Sequence, residues 1–162
     1  MVVMSAELIN KIESAFKNTP KPTGILSRNS SNGSPANYFS GRSWKGHKTA
    51  DLRQHLDAFY EFEPEAFCYY LPAFMLADIT DPIDADIIGE AIVWFFTPRE
   101  NERLIDKEYI NNRIALFSQQ ELAAIEAFIT WFDIECEGII GAKQAIKYLE
   151  TFVRSTQENN QT

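Results

Sequence analysis

Two histidines, two cysteines and a cluster of carboxylates are the residues whose types could do chemistry in this chain of 162 residues. His55 follows Asp51 by four positions, a spacing that on a helix sets an imidazole beside a carboxylate able to orient it as a general base. The same pair serves as an ordinary structural contact, and that plainer reading is preferred. Asp78, Asp81, Asp84 and Asp86 offer oxygen ligands, but a calcium loop needs alternate-residue spacing, a glycine turn and a bidentate glutamate, which this run lacks. It reads as helix capping and solvation. Cys68 and Cys136 fit neither a zinc knuckle nor a disulfide framework, so both are expected as buried free thiols. Walker-type, dinucleotide, nucleophile-elbow and H-E-x-x-H motifs are all missing. No catalytic residue, metal or cofactor is assigned.

The charge distribution is less ordinary. The net charge is −8, yet residues 1–56 hold eight Lys/Arg against three Asp/Glu, while 57–162 hold seven against twenty. Between Arg53 and Arg99 there is no Lys or Arg at all, although nine Asp/Glu lie there. Such a surface repels phosphate backbones and attracts basic proteins, which argues against nucleic acid as a partner. The plain reading is a solubilising acidic face. The functional one is a docking surface for a basic protein, formed by Asp57, Glu61, Asp78, Asp81, Asp84, Asp86 and Glu90. Aromatic residues suggest a second site: Phe39, Trp44, Tyr69, Tyr70 and Pro72 could line an apolar pocket, with ordinary core as the plainer alternative.

These residues must be positioned by helices. Hydrophobic content of 45% with 13% aromatics supplies a core without disulfides. Ser5 is read as the cap of a first helix with Leu8, Ile12, Ala15 and Phe16 on one side, ending near Pro20. Residues 18–48, rich in turn formers, are read as a long loop whose first half is mobile and whose second half is anchored by Tyr38, Phe39 and Trp44. A helix with Leu52, Leu56 and Phe59 on one face follows. Pro64 then starts the most apolar segment, which should be the central helix, kinked at Pro72. Asp81-Pro82 or Asp84 restarts the chain into a helix carrying Ile87, Ile88, Ala91, Ile92 and Phe95, though residues 91–96 have the composition of a strand. Arg99 to Arg113 suggests only short helical pieces. Ser118-Gln-Gln-Glu121 is a capping box opening a helix through Phe132, and Ile139 to Val153 forms the last. The expected fold is all-α, an irregular bundle of about six helices in one domain over 1–155, with a frayed tail at 156–162.

Three segments carry a resemblance: Phe39-Ser-Gly-Arg-Ser-Trp44, the helix F-C-Y-Y-L-P-A-F-M-L from Phe67 to Leu76, and Leu116-Phe-Ser-Gln-Gln-Glu-Leu. In this order they resemble a family of small bacterial domains of unknown function, with F-x-G-x-x-W, Y-L-P-A-F-M-L and L-S-x-x-Q segments. The resemblance implies a shared fold and a bacterial origin, and no catalytic residue.

A signal peptide and a membrane span are both absent from the sequence pattern, so a cytoplasmic location is expected. The leading reading is a non-enzymatic, immunity- or antitoxin-like protein that docks a basic partner. The alternative is a small-molecule or enzymatic domain with a pocket by Pro72, covered by the Phe39–Trp44 loop.

Overall fold

The computed structural model describes residues 2–29, 31–98 and 104–159, with side chains described for 4–29, 31–98 and 107–155. The fold is all-α: nine α-helices and one 3-10 helix, with no strand, among the described residues. Chain contacts gather into two compact units, Met1–Gly89 and Glu90–Thr162.

The first unit is organised around α4. Its elements are α1 (Val2–Phe16), a 3-10 helix (Pro35–Phe39), α2 (Thr49–Gln54), α3 (Ala58–Glu61), α4 (Pro64–Thr80) and α5 (Pro82–Ala85). Pro64 begins α4 where a missing amide costs nothing, and Glu65 meets the positive end of the helix dipole. Every residue from Ala66 to Met75 is buried, as an all-round apolar helix requires. The helix runs without interruption through Pro72, with α1, α2 and α5 packed against it. Ser5 lies inside α1 rather than at its start.

Two of the six expected helices are divided. Residues 55–57 separate α2 from α3, and the break after α5 falls at Asp86, which takes a positive φ of 51°. With a ψ of −98° this residue lies outside the regions that side-chain-bearing residues favour, and the helix breaks there. The third addition is a continuous α7 in place of short pieces, which brings the count to nine.

The loop over 18–48 is fastened in both halves. In the first half, Ser27 bridges to Phe62, and the Glu63 amide donates to the Leu26 carbonyl at 2.7 Å. Arg28 pairs with Glu63 at 3.1 Å, while Glu61 accepts from Ser34 Oγ at 2.6 Å and Asn29 Nδ2 at 3.1 Å. In the second half, the Tyr70 hydroxyl reaches the carbonyls of Phe39 at 2.8 Å and Arg42 at 2.7 Å, and the Phe39 and Trp44 rings are buried. The segment expected to be mobile thus makes directional contacts with the end of α3 and the start of α4.

In the second unit, α6 (Ile88–Phe95) leads in from the first, followed by α7 (Leu104–Ile114), α8 (Gln119–Glu135) and α9 (Ala142–Asn159). The strand alternative for 91–96 gives way to helix: Ile88, Ala91, Ile92 and Phe95 are buried at helical spacing, whereas Trp94 is turned outward. The capping box has both its bonds, Glu121 N to Ser118 Oγ at 3.2 Å and Ser118 N to Glu121 Oε2 at 2.7 Å. α8 and α9 pack on each other. Of the two free thiols Cys68 is buried, but Cys136 is exposed, because it is the C-cap of α8 rather than part of its apolar stripe.

Candidate functional site

The acidic residues separate into three kinds of position. Asp57, Asp84 and Asp86 are exposed in the first unit, with Asp81 half-buried at the start of α5. Asp81 caps that helix by accepting from the Asp84 amide at 3.3 Å, and Asp86 pairs with Arg53. Ile83, between Asp81 and Asp84 in the chain, is 89% exposed, and Ile87, next to Asp86, is 50% exposed. The α5 corner therefore exposes apolar side chains on the same short segment as Asp81, Asp84 and Asp86.

Two of the expected docking residues are used elsewhere. Asp78 is 2% exposed near the end of α4, where burial pushes its carboxyl up to about 6 and a hydrogen bond from the Gly89 amide only partly opposes that rise. It belongs to the interior because α4 is buried nearly all round. Glu61 is half-buried, and its two oxygens hold Asn29 and Ser34. Glu90 is exposed and lies in the second unit.

The five aromatic-pocket residues, Phe39, Trp44, Tyr69, Tyr70 and Pro72, are all buried. Phe39 sits among Phe62, Tyr70 and Phe74 with ring centroids 5.0, 4.8 and 5.8 Å away, and Tyr69 meets Tyr70 edge-on at 4.9 Å. A cavity of about 140 Å³ touches Trp44 but not the other four; its walls include His47, Leu52, Ala73 and Ala77.

Both histidines gather on Tyr38, a convergence that the sequence did not suggest. His55 Nδ1 bonds the Asp51 carbonyl at 2.8 Å, so the contact four residues back is with the backbone and not the carboxylate. Its ring stacks on Tyr38 with centroids 4.3 Å apart. His47 Nε2 lies 2.7 Å from the Ser43 carbonyl, which can only accept; the proton is therefore on Nε2, and Nδ1 accepts from the Tyr38 hydroxyl at 3.0 Å. Burial lowers the His47 pKa, in keeping with this neutral ring. Each imidazole is thus engaged in fastening the loop. Among the described residues no group of three His, Cys, Asp or Glu could hold a metal ion, and no helix is long and apolar enough to cross a membrane.

A larger concavity of about 470 Å³ lies in the second unit, between the end of α6, Lys107 of α7 and one face of α9. The α9 stripe Gln144, Lys147, Tyr148 and Thr151 has helical spacing and was legible in principle, but Thr97 and Lys107 join it only through folding.

Over residues 4–152 the chain matches the model of a family described as a family of unknown function, DUF6714. No curated protein and no solved structure matches.

Proposed function

We propose, for a chain that belongs to DUF6714 and hence to a family of unknown function, that it is a bacterial, cytoplasmic protein-binding domain that docks a basic protein partner. In the manner of an immunity or antitoxin protein, it would do so by surface complementarity rather than by catalysis. The observation that carries this reading is Ile83, 89% exposed between the carboxylates of Asp81 and Asp84. An apolar centre within a charged rim is the arrangement in which a buried contact sets the lifetime of a complex while charge sets its rate of formation. The stretch between Arg53 and Arg99 adds no Lys or Arg to that rim. Arg53 neutralises only Asp86. The reading as a small-molecule or enzymatic domain beside Pro72 draws less support, since Phe39, Tyr69 and Tyr70 spend their surfaces on packing one another.

The test is kinetic. A partner captured from the native host by the purified chain should associate about tenfold more slowly with the D81K/D84K/D86K variant at low salt, and the difference should shrink as salt rises. Ile83→Asp should instead shorten the lifetime of the complex. Circular dichroism would establish that each variant is folded. Association and dissociation rates equal to wild type in both variants would end this reading.

A further inference from the structure

We propose that the concavity of the second unit is a binding site for a small organic anion, a carboxylate or a phosphate ester carrying an apolar body. Its volume of about 470 Å³ falls in the range of small-ligand sites, roughly 300–1,000 Å³. Its charge is the unusual part. Residues 57–162 carry seven Lys/Arg against twenty Asp/Glu, yet two of those seven, Lys107 and Lys147, line this one concavity, and among the described residues no carboxylate does. Neither lysine forms an ion pair among the described residues. Two ammonium groups lining one concavity from different helices repel each other, and an anion between them relieves that repulsion while gaining charge-assisted hydrogen bonds.

The remaining lining is suited to the rest of such a ligand. Gln144 adds a polar group one turn before Lys147 on the same face of α9, and Thr151, whose hydroxyl donates to the Lys147 carbonyl at 2.8 Å, lines the wall one turn after it. Pro98, Ile140 and the Tyr148 ring supply apolar surface, Ile140 being 89% exposed. The Tyr148 hydroxyl is already bonded to Asn111 Oδ1, which holds the ring in place as a wall. The floor is held too: Thr97 Oγ1 contacts the carbonyls of Val93 at 2.7 Å and Gly141 at 3.1 Å. Gly141 has a φ of +97°, and a Cβ there would come within 2.7 Å of the Thr97 hydroxyl, so only glycine permits this approach. The site stands on the second unit alone and does not depend on the acidic surface of the first.

Titration of the isotopically labelled full chain with benzoate, hexanoate, phenyl phosphate and inorganic phosphate, followed by amide shifts, tests the assignment. At least one organic anion is expected to bind, with shifts centred on Thr97, Gln144 and Thr151, and more tightly than inorganic phosphate. Comparing benzoate and hexanoate with phenyl phosphate identifies the preferred head group. K107Q and K147Q should each weaken that binding about tenfold, the loss of one charged hydrogen bond, and K11Q, on exposed α1 surface, should leave it unchanged. No shift with any of the four probes would overturn the proposal. So would affinity that survives the double lysine substitution, or inorganic phosphate binding as tightly as phenyl phosphate.

Discussion

Replacing Phe39 with alanine is expected to cost about 3–5 kcal/mol of stability, the range for truncating a fully buried aromatic side chain. Phe39 belongs to the loop by sequence but to the core by position: it is wholly buried, with Tyr38, Phe62, Tyr70 and Phe74 around its ring. Its own carbonyl accepts from the Tyr70 hydroxyl, so the same residue is held through both side chain and backbone. Alanine would leave a cavity among rings that are each also packed against a further ring. Urea unfolding of the two proteins measures the difference. A loss below about 1 kcal/mol, the level of an ordinary surface substitution, would mean that the loop does not form part of the interior.

Asp78→Asn is expected to change how stability depends on pH by about 2–3 kcal/mol, from a shift of about two pKa units at 1.36 kcal/mol each. The folded carboxyl titrates at about 6 against an ordinary 3.8, because it is buried, so the native state holds this proton more tightly than the unfolded chain does. Its favourable contribution is therefore complete below about pH 3.8 and is lost as pH rises through about 6. Above that, the fold carries a buried charge. Asparagine keeps an oxygen for the Gly89 amide and removes the ionisation. The variant should gain on wild type between pH 4 and pH 7.5, measured by urea unfolding at both. Parallel stability curves for the two proteins would show that Asp78 has the same pKa in the folded and the unfolded chain.

Asp78 also shows what the sequence could and could not convey. Its place on a helix with no polar face was readable, and that alone argues against a surface role; grouping it with Asp81, Asp84 and Asp86 followed charge and overlooked periodicity. The helices with strong local signals were legible for physical reasons. Ser118 and Glu121 satisfy each other's orphan amides wherever they occur in this spacing, and Pro64 suits only a first turn. The break at Asp86 was not legible, since a positive φ at a non-glycine residue is imposed by surrounding structure and leaves no mark in composition. The same holds for the bonds from Glu61 to Asn29 and Ser34, and for the meeting of Thr97 with Gly141. Contacts between residues some thirty or forty positions apart exist only once the chain has closed.

The thiols differ between the units in a way that experiment can use. Cys136 is open to solvent at the end of α8, whereas Cys68 is enclosed within α4. A maleimide dye should therefore modify the first at once and the second only as often as the central helix breathes. The unmutated chain thus carries its own clock for opening of one unit, with a prompt reference signal in the other.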